Sequence, residues 1–181
     1  MNKGFTLVEL SVTIGITVII SILILADFPE FTRRLELSRT VQAVAVSFRE
    51  AESSALAVRE FKPDSISYFP AYGLHFENPP LTTYFLFADL NNNRVYDAGE
   101  KADEFQINGQ PRVSRLCGGT RSSPPGRCDL TRLDVVFVRP NPDIFINSDK
   151  GSFSDAEAVL LLPDGQEKKV VIWSTGQLAI E

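Results

Sequence analysis

Histidine and cysteine are scarce in this chain: His75 stands alone, and Cys117 and Cys128 are the only thiols. Two cysteines and one distant histidine make a poor four-ligand set for zinc. The usual catalytic signatures are missing as well. There is no Ser-x-x-Lys, no Gly-x-Ser-x-Gly and no phosphate-binding glycine loop. His75 sits in an alternating run, where a packed or exposed strand residue is the expectation rather than a base, so no enzyme is expected. Positive charge is not in excess either. The net charge of −5 gives no general attraction for nucleic acid or an anionic membrane surface. Nor is charge spread evenly. From Phe5 to Ala26 the single charged residue is Glu9, and no Lys or Arg occurs between Lys3 and Arg33.

What fills that gap is an apolar run long enough to cross a bilayer, for which a helix needs about 20 residues. A secretory signal has a longer basic region and a small-residue cleavage site after its apolar stretch. Here the small residue, Gly4, precedes the run, so the anchor is expected to survive processing. Glu9 is out of place by composition alone. A charged residue at the centre of a membrane helix costs roughly 2.5–3.5 kcal/mol, less near the interface. The sequence nearby offers little to pair with it, and a cation from a neighbouring chain is the natural candidate.

The segment Gly4-Phe5-Thr6-Leu7-Val8-Glu9-Leu10 resembles the leader junction of type IV pilins and type II secretion pseudopilins. The resemblance implies cleavage between Gly4 and Phe5 by a prepilin peptidase that also N-methylates Phe5. It implies that Glu9 pairs with the Phe5 ammonium of a neighbouring subunit during assembly. The expected partners are other pilin or pseudopilin subunits, the peptidase/methylase, an inner-membrane assembly platform, and membrane lipid before assembly. The expected place is the cytoplasmic membrane, single-pass with the head outside the cytoplasm, and then a pilus or pseudopilus.

Asp27-Phe28-Pro29 ends the apolar run, and a kink or local melting is expected at the proline. Beyond it Leu37, Val41, Val44, Phe48, Ala51, Ala55 and Val58 recur at steps of four and three, an amphipathic helix expected to stop before Pro63. β-type runs follow at 71–76, 81–88, 131–138, 156–162, 168–173 and 178–180, with a hairpin signal at Pro163-Asp164-Gly165. The expected organisation is a leader at 1–4, a membrane or filament-core helix at 5–28, an amphipathic half at 29–62, and a β-rich head at 63–181. The class is α+β: a long N-terminal helix packed on a mainly antiparallel sheet, as in the pilin fold. The last strands, through Val170-Val171-Ile172-Trp173-Ser174-Thr175-Gly176, resemble the heads of H-type minor pseudopilins and FimT-like minor pilins. That favours a minor over a major subunit.

Within the head, Asp89, Asn91, Asn93, the Val95 carbonyl, Asp97 and Glu100 fall at the ligand positions of a twelve-residue calcium loop. Arg94 departs from that pattern, which asks for glycine at its sharp turn. Two readings stand: a calcium site, of a kind the resemblance also implies for such heads, or an Asn-rich connection bonded to its own backbone. Cys117 and Cys128 bracket a Gly/Ser/Pro loop and are expected to form a disulfide, which the chain-entropy account values at about 3 kcal/mol. Arg112, Arg115, Arg121, Arg127, Arg132 and Arg139 form a local basic region. The resemblance would place DNA-binding arginines after the last glycine, and Gln177–Glu181 carries none. The arginines are therefore expected to be solvated loop residues and nucleic acid is not expected as a partner. A head that binds DNA or a surface is the alternative function.

Overall fold

The computed structural model describes residue 4 and residues 6–140 and 143–181. Phe5, the expected methylated N-terminus, lies outside the described residues, as do Met1–Lys3 of the expected leader. The chain divides into two compact units, Met1–Leu35 and Glu36–Glu181.

A single helix, α1 (Leu7–Leu56), supplies the first unit and the start of the second. Thr6 caps it: the Glu9 backbone N–H donates to Thr6 Oγ1 at 3.3 Å, and the Thr6 hydroxyl donates to Glu9 Oε2 at 3.4 Å. This Thr-x-x-Glu arrangement is a capping box, which satisfies N–H groups that a helix start otherwise leaves unpaired. In the apolar stretch Ser11, Thr17 and Ser21 donate to the carbonyls four residues back, so their hydroxyls are satisfied within the helix. Of the kink or local melting expected at Pro29, the melting does not occur, and the backbone stays helical through the proline. The N–H that proline withholds and its ring's push on the Leu25 carbonyl interrupt the ladder at one point of a 50-residue helix.

The helix ends at Leu56, six residues before the expected limit at 62. Val58 adopts φ 55°, its N–H reaches the Ala55 carbonyl, and Arg59 N–H bonds the Ser54 carbonyl at 3.1 Å. That pair of bonds is a Schellman stop, here with a β-branched residue where glycine is usual. Val58 is consequently exposed and is not part of the buried stripe.

In the second unit the remaining helix packs on two antiparallel sheets. The strands are β1 (Ala71–Glu77), β2 (Thr83–Asp89), β3 (Lys101–Gln106), β4 (Arg112–Gly118), β5 (Arg127–Leu130), β6 (Arg132–Val138), β7 (Asp143–Ser148), β8 (Gly151–Phe153), β9 (Asp155–Leu161), β10 (Glu167–Trp173) and β11 (Leu178–Ile180). One sheet has the order β3-β2-β1-β6-β7-β8 and the other β11-β10-β9-β4-β5. The fold is α+β, as expected.

Leu37, Val41, Val44, Phe48, Ala51 and Ala55 are buried in one cluster with Tyr72, Leu74, Phe76, Leu86, Val135, Leu160 and Ile172. Each large side chain so buried contributes about 1.5–3 kcal/mol of transfer free energy. Rings stack from the helix outward: Phe48 on Phe76, Phe76 on Tyr84, and Tyr84 on Phe105, at 5.9, 4.9 and 5.2 Å. The Tyr84 hydroxyl shares a buried 2.9 Å hydrogen bond with Ser47 on α1, and burial pushes its pKa up. Helix, β1, β2 and the edge strand β3 are thereby stitched together. The expected Pro-Asp-Gly hairpin joins β9 to β10, with Gly165 at φ 91° and its N–H on the Leu162 carbonyl at 3.0 Å.

Candidate functional site

Three places carry the residues singled out by sequence. The first is the start of α1. Here Leu7, Val8, Leu10, Val12, Ile14, Ile16 and the apolar residues onward to Leu25 are all more than half exposed. It is the one described helix long and apolar enough to cross a membrane. Glu9 faces Thr6 of its own chain, a partner that sequence reasoning missed although the Thr-x-x-Glu spacing announces it. Nothing lies within 4 Å of where a Gly4 Cβ would stand.

The second is the acidic loop from Asp89, at the end of β2, to Glu100. Asp89 is 1 % exposed and Glu100 3 % exposed. Asp89 Oδ1 accepts the Asn93 N–H at 3.1 Å and its Oδ2 the Arg94 N–H at 3.0 Å. Glu100 Oε1 accepts the Leu90 N–H at 2.8 Å and its Oε2 the Asp97 N–H at 2.9 Å. Asn91 and Asn93 turn their carbonyls to the Asn93 and Val95 N–H groups, and their amides to Asp97 Oδ2 at 2.8 and 2.6 Å. The loop thus closes on its own backbone. Burial pushes the Asp89 carboxyl above its ordinary range, against the pull of the Arg94 and Asn93 N–H groups. Glu100 is raised by burial first, and then by repulsion from Asp89 and Asp97.

Arg94 adopts φ 65°, the left-handed turn that a calcium loop gives to glycine. That conformation costs roughly 1–2 kcal/mol for a residue with a side chain. Two contacts with β7 oppose the cost. The guanidinium stands 3.5 Å over the Phe145 ring, and the Arg94 carbonyl accepts Asn147 Nδ2 at 2.8 Å.

The loop's next residue but one, Tyr96, covers the outer face of the first sheet. Its ring lies 4.5 Å from that of His75 and 5.7 Å from Phe87. Its N–H donates to Asp134 Oδ1 at 3.3 Å. His75 is 2 % exposed, with Nδ1 at 2.7 Å from the same Asp134 oxygen, and Arg132 Nε stands 3.1 Å from Asp134 Oδ2. Of the expected alternatives for His75, packed or exposed, the packed one holds. Its carboxylate partner comes from β6, 59 residues away, and was invisible in sequence.

The third place is the loop between β4 and β5, closed by the Cys117–Cys128 disulfide. Asp155, fully buried at the start of β9, gathers this loop. It accepts the Arg121 N–H at 3.1 Å, the Ser122 N–H at 2.7 Å, the Ser122 hydroxyl, and the Thr120 hydroxyl at 3.4 Å. Burial alone would raise the Asp155 carboxyl, but the Ser122, Arg121 and Thr120 donors outweigh it and hold the carboxyl low. Glu157 is likewise held low: burial opposes, while Thr120, Lys169 and Arg121 win.

The arginines of the basic region are largely engaged. Arg115 meets Glu167, Arg121 meets Glu157 and Glu181, Arg127 meets Asp129, and Arg132 meets Asp134. Arg139 bonds the Phe69 carbonyl at 2.5 Å. Among the described residues, no three His, Cys, Asp or Glu side chains are grouped so as to hold a metal ion. Comparison of the chain with family models, curated proteins and solved structures finds no match.

Proposed function

We propose that this chain is a structural filament subunit, a minor pilin or pseudopilin made with a short leader and assembled from the membrane. The observation that carries this reading is the junction Gly4-Phe5-Thr6-Leu7-Val8-Glu9 placed directly before an apolar helix whose described side chains are exposed all round. An exposed run of that size is stable only in lipid or against other apolar helices. Glu9 fits both stages. Before assembly, the Thr6 hydroxyl and the positive end of the helix dipole attend its carboxylate. In the filament it meets the Phe5 ammonium of a neighbour.

Processing tests the assignment directly. Mass spectrometry of the membrane-inserted protein is expected to show loss of Met1–Gly4 and a methylated Phe5. An intact Met1 in cells with active prepilin peptidase would remove the chain from this class. Glu9→Ala is expected to insert and be cleaved but to enter filaments poorly.

The acidic loop is the proposed calcium site of the head. Its donors are all oxygens, which suits a hard cation. Asp97 Oδ2 already accepts two N–H groups, but the Asp89 and Glu100 oxygens and the Asn91 and Asn93 carbonyls take one each, and an sp² oxygen accepts two bonds. Because the three carboxylates are not grouped as a cage, amide and main-chain oxygens would have to complete the shell. Nucleic-acid capture by the head is not proposed, since four of the six arginines of the basic region already face carboxylates.

A further inference from the structure

A cleft of about 500 Å³ opens beside the disulfide loop, between Ser122–Arg127 on one side and Ser152–Ser154 on the other. The Phe153 ring lies against Gly118 and Gly119. A Cβ on Gly118 would fall 2.4 Å from Phe153 Cδ2, so the ring occupies space that only glycine leaves. Ser122, Ser123, Pro124 and Pro125 are exposed, and no core packing orders them. Fixing each such residue costs about 1–2 kcal/mol of backbone entropy. The cost is met by the disulfide and by the buried Asp155, whose oxygens hold the Arg121 and Ser122 N–H groups while its carbonyl takes the Gly119 N–H at 3.0 Å. The result is a pre-shaped hollow on the surface of the head.

Its chemistry is neutral. The one cation on its wall, Arg127, spans both oxygens of Asp129 at 3.2 and 3.1 Å. The Ser122 and Ser152 hydroxyls are spent on Asp155 and on Asn147 Oδ1, while Ser123 and Ser154 stand beside them on the two walls. A serine hydroxyl both donates and accepts, matching a ligand that carries hydroxyls itself. A proline-rich peptide would need a groove of several aromatic rings, and this cleft has one.

We propose that this cleft binds a neutral saccharide. The apolar C–H face of a pyranose ring lies on Phe153, drawn to the negative face of the aromatic ring. The Ser123 and Ser154 hydroxyls exchange hydrogen bonds with the ring's own. The proposal stands apart from the filament reading and would survive its failure.

The full chain in lipid nanodiscs, mixed in turn with chitotriose and cellotriose, is examined by saturation-transfer NMR. Transfer to the ring hydrogens of at least one sugar is expected, and Phe153→Ala should weaken its binding about tenfold. Because Phe153 also packs on Gly118 and Gly119, Ser123→Leu is the second variant. It fills the cleft from an exposed wall position without adding an aromatic face, and should give the same loss with an unchanged melting temperature. No transfer to either sugar, or undiminished transfer in Ser123→Leu, overturns the proposal. Transfer to a Pro-Pro-containing peptide in place of the sugars overturns the saccharide assignment.

Discussion

Two loops of the head are each organised by a buried carboxylate, and they are built on opposite terms. Asp155 holds the disulfide loop with donors from Thr120, Arg121 and Ser122, enough to lower its pKa despite complete burial. Asp89 holds the acidic loop with the N–H groups of Asn93 and Arg94, and its pKa stays raised. The difference lies in the surroundings. Asp155 and its neighbour Glu157 have hydroxyl donors and the cations Arg121 and Lys169 at hand. Asp89 shares its loop with Asp97 and Glu100, and Asp89 and Asp97 repel the Glu100 charge. One loop is electrostatically complete. The other is closed by hydrogen bonds, with Arg94 the cation acting on Asp89, and the repulsion of Glu100 by Asp89 and Asp97 is left for a divalent cation to relieve.

The comparison can be broken in several ways. The largest expected effect is loss of the disulfide: Cys117→Ala with Cys128→Ala should lower stability by about 3 kcal/mol. Denaturant melts check this, and hydrogen exchange should rise in residues 118–127 while the acidic loop stays protected. Equal loosening of both loops would show that they are not independent.

Calcium comes next. At a hundredfold excess over Kd, a ligand of the native state alone raises stability by about 2.7 kcal/mol. A calcium-dependent rise in melting temperature, abolished by Asp89→Ala with Asp97→Ala and poorly reproduced by magnesium, is expected. Should the wild type show no shift at millimolar calcium, the loop is only a connection.

Single carboxylate removals sharpen the contrast further. Asp155→Ala strands two backbone N–H groups and the Ser122 and Thr120 hydroxyls, and should cost about 2–3 kcal/mol. Asp89→Ala also strands two N–H groups but removes a carboxylate whose charge burial disfavours, so about 1–2 kcal/mol is expected. Chemical denaturation without calcium measures both, and the reverse order would refute the electrostatic account.

The smallest effect is a difference in the sign of pH dependence. Asp89 and Glu100 have folded pKa values above 3.8 and 4.5. Their contribution is therefore fully present below those values and is lost as pH rises through the raised ones. Asp155 and Glu157 are lowered, so their contribution is present above 3.8 and 4.5 and is lost as pH falls through the depressed values. Acidification from neutrality should first tighten the acidic loop and, further down, loosen the disulfide loop. Hydrogen exchange corrected for intrinsic rates reads both, and parallel trends would contradict this.

Legibility in the sequence followed the same divide between local and distant causes. The buried helical stripe from Leu37 to Ala55 was readable because its period is a property of one segment. β1, β2, β6, β9, β10 and β11 showed as apolar β-type runs. β4 did not, because a register shift between Val113 and Arg115 breaks its alternation. β3, with Lys101, Asp103 and Glu104, has little strand character of its own and is held by pairing with β2 and by the Tyr84–Phe105 stack. β5 and β8 are only four and three residues long, whereas β7, with Ile144 and Ile146 buried at alternate positions, carried a strand pattern that the sequence reading passed over.

The sequence by itself determined the apolar run with its lone Glu9, the helical stripe, the Pro-Asp-Gly hairpin and the pairing of the only two cysteines. Each rests on residues within a few turns, or on there being no other partner to choose. Tertiary structure alone decided that Tyr96 closes the acidic loop over His75 and Asp134, and that Asp155 gathers the disulfide loop from 33 residues away. It also seats Arg94 in a glycine's conformation by way of Phe145 and Asn147, more than fifty residues along the chain. Such contacts have no period and no spacing rule. They arise where two sheets and their loops meet, and burial there makes each unpaired polar group costly enough to select a distant partner.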